Sequence, residues 1–367
     1  MINHNTDQRI ILTLDTGGTN MVFGAMQRGE FIVDPLTLPA HADNLDLCLQ
    51  TMVEGFRSII DQLDERPAAI SFAFPGPADY PNGIIDGKLI NFPAFRDGVA
   101  LGPYLKKKFS MPVYINNDGD LYAYGEALGG MLPQMNEMLD EYGSRKRYKN
   151  LLGFTLGTGL GIGMVVNGQL NRGDNSCIEM FSIPLKGHPD VIAEEGISIR
   201  AAKRIYGELS GNPEHGLEPK DIFDIAEGVK EGDVEAAKGA FAQLGAALGD
   251  VIAMTVSITD GLVVIGGGLA GAYKYIKPAM FEAVRGKMHR LNGEEISKLA
   301  SKVYDLDDPE EIRQFIKGEQ RQIKIYNSEI EVTYDPQKRI GIALSKIGAN
   351  KAVSLGAYAF ALHQLSR

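Results

Sequence analysis

Apolar and polar positions alternate over 9–15, resume over 21–26 and recur over 30–33, which predicts a short β-meander with Arg28-Gly29 as one of its turns. Over 43–63 the apolar spacing becomes helical, and Pro67 closes that element. A strand follows at 69–74, ending in Pro75-Gly76-Pro77, and another at 113–115. A helix is expected over 121–131 and a second strand–turn–strand hairpin over 151–166. Helices are predicted near 198–209, 221–230 and 234–257, then a strand at 262–265, a helix from about Tyr273 and a closing helix at 351–365. Strands and helices alternate, and the glycine-turned hairpin occurs once in each half. That pattern predicts a duplicated α/β core, two similar lobes with a ligand cleft between them. No repeat of 20–50 residues is present, which excludes solenoids and propellers. Two stretches look like additions. The polar 132–150 reads as a solvated loop or short helix, and the charged 291–337 as surface elaboration of the larger lobe.

Three glycine clusters interrupt this pattern. In the first, a β-rich run ends at Asp15 and turns through Thr16-Gly17-Gly18-Thr19. Adjacent glycines let a backbone approach a ligand closely, and outward N–H groups in such a turn form an anion-binding concavity. Thr16 and Thr19 offer hydroxyl donors, and Asp15 sits where a hydrated divalent cation would need a carboxylate. An ordinary glycine hairpin fits the segment equally well. In the second, Gly157, Thr158, Gly159, Gly161 and Gly163 crowd one bend, although glycine weakens strand interiors. The third, Gly266-Gly267-Gly268, lies between a strand and a helix, a junction suited to nucleotides and phosphates. None matches the dinucleotide fingerprint or the Walker pattern.

In this order the three clusters resemble the ROK family of sugar kinases and sugar-responsive repressors, within the actin/hexokinase/Hsp70-like ATPase superfamily. The resemblance runs from Ile11 to about Ala361. It implies a two-lobed, duplicated ribonuclease H-like (actin/hexokinase-like) α/β fold. The small lobe is expected at 1–117 plus 354–367 and the large lobe at 118–353. It also implies that Gly17, Gly18, Thr19, Gly157, Thr158 and Gly159 contact ATP phosphates, that Gly266, Gly267 and Gly268 contact adenosine, and that Asp15 holds Mg²⁺ through water.

Size and composition agree with that picture. A chain of 367 residues exceeds what one core usually supports, so two domains are expected. A net charge of −10 argues against general nucleic-acid or membrane-surface binding. Cys48 and Cys177 are too few for a disulfide framework or a zinc cluster. The first nine residues lack an apolar signal core and no apolar run approaches membrane length, so the expected home is the cytoplasm. His4, His41, His188, His215, His289 and His363 show no metal-ligand spacing.

The chemistry is expected at Asn116-Asn117-Asp118-Gly119-Asp120, a strand-to-helix junction. An Asp there often only caps the helix. Asp120 can take that duty, which leaves Asp118 for a carboxylate that accepts a hydroxyl proton during phosphoryl transfer. The resemblance implies the same division, with Asn117 on a sugar hydroxyl and Asp118 as the base. A sugar's ring of hydroxyls calls for amides and carboxylates. By the resemblance Asn91 in Ile90-Asn91-Phe92-Pro93, Glu179 in Ile178-Glu179-Met180-Phe181-Ser182, and Glu194 in the Glu-x-x-x-Ser element ending at Ser198 bind the sugar. Glu195 is adjacent to Glu194, and a surface carboxylate is the ordinary fate of any Glu. Ser182 stands where the family usually has His, and the family's Cys-rich zinc motif is missing, so no structural zinc is expected. The expected function is therefore an ATP- and Mg²⁺-dependent, glucokinase-like phosphorylation of a hexose or related sugar at a primary hydroxyl. The expected assembly is a homodimer, implied by the resemblance alone. A sugar-sensing repressor is disfavoured because only 14 residues precede Asp15 and the net charge has the wrong sign. A non-catalytic sugar-binding sensor is the alternative that Ser182 and the missing zinc motif suggest.

Overall fold

The computed structural model describes residues 6–17, 19–76, 78–87, 89, 91–214 and 216–366. The chain folds as two compact units. The first is Met1–Gly130 with Gly163–Ile178 and Ile347–Arg367, and the second is Met131–Ile162 with Glu179–Lys346.

The first unit opens with β1 (Ile11–Thr16), β2 (Asn20–Gln27), β3 (Glu30–Phe31) and β4 (Leu36–Pro39), followed by α1 (Leu45–Ile60). It continues with β5 (Ala69–Ala73), α2 (Leu101–Phe109), β6 (Val113–Asn116) and α3 (Asp118–Gly129). Its sheet runs β3-β2-β1-β5-β6, with β4 on β2. β1 and β2 pair antiparallel from Ile11↔Met26 to Thr16↔Met21, and β5 lies parallel to both β1 and β6. Strand alternation sends Leu12, Leu14, Phe23 and Phe72 into a core shared with Phe56 of α1. From the opposite face Ile11, Met26 and Ala69 meet the closing helix at Leu355, Tyr358 and Leu362. That helix also packs on α3 without room for a side chain between them. A Cβ on Gly125 would overlap the Ala352 carbonyl, and one on Gly356 the Leu121 carbonyl. This fit groups α3 with the first unit, so the division falls after Gly130 where Asn117 was expected.

After α4 (Met131–Glu141), the second hairpin is β7 (Leu151–Leu156) and β8 (Leu160–Val166), and β9 (Gln169–Leu170) follows. Next come β10 (Pro184–Leu185), β11 (His188–Ile192), a 3₁₀ turn at Ala193–Gly196 and α5 (Ile199–Ser210). Then follow α6 (Pro219–Ala226), α7 (Val234–Thr259), β12 (Leu262–Gly266) and α8 (Tyr273–Val284). The remainder is β13 (Lys287–His289), β14 (Glu295–Ser297), β15 (Lys302–Asp305), α9 (Pro309–Lys317), β16 (Arg321–Lys324), β17 (Glu331–Tyr334), β18 (Arg339–Leu344) and the closing α10 (Ala349–Leu365). The second sheet orders β15-β18-β12-β7-β8-β9, with β15, β18, β12 and β7 mutually parallel.

Three expectations change. The polar 132–150 contains α4, whose Leu132, Met135 and Leu139 are buried; an i, i+3, i+7 stripe hides among charged neighbours. Within 291–337, β15 is an edge strand of the sheet with Val303, Tyr304 and Asp305 buried, so this part is not surface elaboration. Helix α7 does reach the length and apolarity of a membrane span. Its buried residues pack against α5, α6 and α8, which makes it a core helix by contact.

Candidate active site

In the first unit, the β1–β2 turn is closed by Gly17 N donating to the Asn20 carbonyl at 2.9 Å. The Thr16 hydroxyl donates to the Ala73 carbonyl at 2.8 Å, so it ties β1 to β5 and is not a free donor for phosphate. Thr19 is exposed, and Gly18 lies outside the described residues. Asp15 is half-buried at the end of β1. Burial pushes its carboxyl above the usual range, and the charge of Asp118 raises it further.

The reason Asp118 lies close enough to act on Asp15 is local. β6 delivers the chain to α3, where Asn117 takes the N-cap and its Oδ1 accepts from Gly119 N at 2.8 Å. Asp120, expected to cap, is instead buried within the first turn. Asp118 therefore begins the helix with a carboxylate that accepts from Gly119 N at 2.9 Å. The residue as a whole is exposed, but the protein packed around its carboxyl raises the pKa, and the Gly119 hydrogen bond only partly offsets that. Among the described residues no cation pairs with Asp118 or Asp15.

Asn117 keeps its Nδ2 free of the cap and points it at the Tyr80 hydroxyl, 3.5 Å away, while that hydroxyl donates to the Phe74 carbonyl at 2.9 Å. Asn91 is exposed beside Phe92 and Phe95, whose rings lie 4.7 and 5.0 Å from that of Phe74. The sequence reading missed Tyr80, and it missed Asn116, wholly buried with Oδ1 accepting from Arg172 at 2.7 Å. Only the Asn116-Asn117 doublet hinted at the second.

In the second unit, the β7–β8 turn has Gly157 N donating to the Gly159 carbonyl at 3.1 Å, and Ile199 N donating to the Gly157 carbonyl at 2.9 Å. The N–H groups of Thr158 and Gly159 meet no acceptor among the described residues, which leaves two donors for an anion. Glu194, expected on a sugar hydroxyl, has both carboxylate oxygens engaged. Oε2 accepts from Leu160 N at 3.0 Å, and Oε1 pairs with Arg200 at 2.9 Å. Glu179 is half-buried in an irregular segment, and Ser182 is exposed in a turn.

The third cluster joins the second hairpin within this unit. Gly266 pairs with Thr155, and Gly267 at φ 90° lies against the Leu156 backbone, where a Cβ would collide. Space around Gly268 is open. Thus Gly17, Thr19, Asp15, Asn91, Asn117 and Asp118 belong to the first unit. Gly157–Gly159, Gly266–Gly268, Glu179 and Glu194 belong to the second. Among the described residues no three His, Cys, Asp or Glu side chains are grouped to hold a metal ion.

This chain is 51% identical to a glucokinase from Parabacteroides distasonis, with a TM-score of 0.89 over 99% of each chain. It shares its fold with a ROK family glucokinase from Streptomyces griseus solved with glucose and AMPPNP, at 16% identity and TM-score 0.61 over 97% of this chain and 99% of that one. It is 29% identical to the N-acetyl-D-glucosamine kinase of Vibrio parahaemolyticus over 164 residues, 44% of this chain and 48% of the kinase. The chain thus spans about half the length of such curated kinases that it matches. The fold is the actin/hexokinase-like ATPase fold. The ROK family model matches residues 11–305, a stretch holding both hairpins, Asp118 and the third glycine cluster, and the chain belongs to the ROK family.

Proposed function

We propose that this chain transfers the γ-phosphoryl group of ATP to a primary hydroxyl of a hexose or related sugar. One observation carries the reading: the Asp118 carboxylate has no cation beside it among the described residues and lies within electrostatic reach of Asp15 at the first glycine turn. The identity with a glucokinase over nearly the whole chain supports it. Glucose heads the substrates to be tried, and fructose, mannose and N-acetylated amino sugars follow.

Asp118 accepts the proton of the attacking hydroxyl, and its raised pKa suits it to hold that proton through the transfer. Asn117 offers Nδ2 to a sugar hydroxyl, with Asn91 and Glu179 as further hydroxyl ligands. At the second turn the unclaimed N–H groups of Thr158 and Gly159 meet phosphate oxygens while Gly157 shapes the bend; at the first turn Gly17 shapes the bend and Thr19 meets phosphate, with Gly18 outside the described residues; Gly266-Gly267-Gly268 receives adenosine. Asp15 fits a hydrated Mg²⁺: its hard oxygen donors are unpaired among the described residues and stand near a second carboxylate that a cation would relieve. When bound, Mg²⁺ neutralises phosphate charge. No zinc ligand set is proposed. The protein acts in the cytoplasm as a homodimer, with no nucleic-acid or membrane partner; both cysteines are free thiols, as a reducing compartment maintains. A sugar panel with coupled ADP detection tests this, because a kinase releases ADP only when its sugar is present. Failure of every sugar to stimulate ADP release would favour the non-catalytic sensor instead.

A further inference from the structure

Residues 163–178 follow the second hairpin in sequence but belong to the first unit, and Arg172 fastens them to the end of β6. Its Nη1 donates to Asn116 Oδ1 at 2.7 Å, a charge-assisted bond. The same guanidinium lies 4.9 Å from the centre of the Phe360 ring on α10. Phe360 in turn meets Tyr114 of β6 nearly edge-on, with the rings 6.1 Å apart. The cation is thus seated between an amide at the strand's end and a ring packed on the same strand.

Asn116 is the last residue of β6 and is wholly buried. Its Nδ2 meets no acceptor among the described residues, so the bond from Arg172 is what offsets the burial of this amide. The position matters because of what adjoins it. The Asn116 carbonyl accepts from Phe74 N at 2.9 Å, and the Phe74 carbonyl accepts from the Tyr80 hydroxyl at 2.9 Å. That hydroxyl faces Asn117 Nδ2 at 3.5 Å. One residue beyond Asn116 the chain caps α3, and two residues beyond it Asp118 opens the helix. Arg172 therefore stands at the head of a chain of contacts that ends on the cap and on the first helical residue.

We propose that Arg172 is a positioning residue for phosphoryl transfer, holding Asn116 so that the β6–α3 junction presents Asn117 and Asp118 in fixed places. This rests on the kinase reading for the reaction that is positioned. The test compares wild type with Arg172→Ala, Arg172→Lys, Asn116→Leu and the double variant Arg172→Ala/Asn116→Leu. It measures kcat, KM for ATP and KM for the panel sugar that wild type uses best. Calorimetry gives the affinities for that sugar and for AMPPNP–Mg²⁺, and thermal unfolding checks that each variant folds.

Arg172→Ala should lower kcat/KM for sugar by about 10–100-fold, the scale of a charge-assisted hydrogen bond, with KM for ATP and AMPPNP affinity within about twofold of wild type. Lysine at 172 keeps a cationic donor and should recover part of the loss. Asn116→Leu fills the same space without an acceptor and should match Arg172→Ala, and the double variant should be no worse than either, because the two residues act as a unit. A wild-type kcat/KM for sugar in Arg172→Ala would overturn the proposal. So would a silent Asn116→Leu, or losses equal for sugar and AMPPNP, which mark a general loosening of the fold. Should Arg172→Ala fail to fold, Arg172→Lys decides by the same split between sugar and nucleotide. A wild type that binds sugar yet transfers no phosphoryl group defeats the kinase reading alone, and the variants' sugar affinities still decide whether Arg172 positions Asn117. A wild type that binds no sugar of the panel overturns both.

Discussion

The two glycine turns share a sequence pattern and differ in their company. The first turn is closed by its own Gly17–Asn20 bond, and its neighbours in the unit are two carboxylates whose charges oppose each other. The second is braced by Glu194 and Arg200, whose guanidinium also pairs with Glu195, so that the carboxylates there have a cation between them while the main chain is held. Unpaired like charges cost free energy and are kept where a cation or a proton is handled. A brace of paired charges is kept where geometry must not move. On this comparison, the first turn carries charge-handling chemistry and the second carries shape.

The largest expected effect lies on the first side. Asp118→Asn should lower kcat by roughly 10²–10⁴, the usual contribution of a positioned base, with little change in KM for ATP. Steady-state kinetics with the best sugar of the panel measures it, and near-normal kcat removes Asp118 from the chemistry. Asp15→Asn should act differently. Mg²⁺ titrations should show the concentration for half-maximal activity rising by about tenfold or more in that variant, whereas Glu194→Gln leaves it unchanged. If both variants shift the Mg²⁺ requirement equally, the contrast between the turns fails.

On the second side the comparison sharpens through two neighbouring glycines. A methyl at 159 meets the Glu194 carboxylate, while one at 157 meets nothing within 4 Å. Gly159→Ala should therefore weaken AMPPNP binding by about 1–3 kcal/mol, the cost of overpacking a fitted site. Gly157→Ala should leave folding unaltered and act only through a bound ligand. Calorimetry with thermal unfolding separates them, and equal losses of Tm in both would contradict the geometry.

The parts legible in the sequence are those written locally. Leu12 and Leu14 alternate with Thr13 and Asp15, and Gly17 follows at once, so strand and turn are evident without the fold. Asp118 stands at a junction marked by the apolar run before it. What stayed hidden depended on a single residue of phase or on distant contacts. Whether Asn117 or Asp120 caps α3 turns on where the first helical residue falls, and capping patterns permit either. Glu194 reads as a sugar ligand by its motif, and its bond to Leu160 N, 34 residues earlier, is a further contact that only folding creates. Likewise β15 is short and flanked by charge, and nothing local shows that β18 will pair with it.

A smaller effect tests the support beneath Asn117. Tyr80→Phe removes the hydroxyl that donates to the Phe74 carbonyl and faces Asn117. Losing a buried hydrogen bond costs about 1 kcal/mol, so Tm should fall by roughly 2–4 °C, with a modest rise in KM for sugar and kcat retained. An unchanged sugar KM would detach Tyr80 from the site and leave it a purely structural tyrosine.

The smallest effect concerns stability and has the opposite sign to the loss of activity. Burial raises the pKa of both Asp118 and Asp15, and Asp118 raises that of Asp15 further, so the folded protein binds these protons more tightly than the unfolded chain does. Stability from these groups is therefore present at low pH and is lost as pH rises from the ordinary carboxylate range through the raised folded values. Above their raised pKa values both are ionised at a cost. Asp118→Asn removes one of the opposed charges, so the ligand-free variant should unfold at a slightly higher temperature than wild type at pH 7. The difference should shrink to nothing as pH falls below the ordinary carboxylate range. Thermal scans across pH read this directly. An Asn variant no more stable than wild type at pH 7 would mean that the carboxylate is well solvated, and the charge-handling role of the first turn would lose its energetic basis.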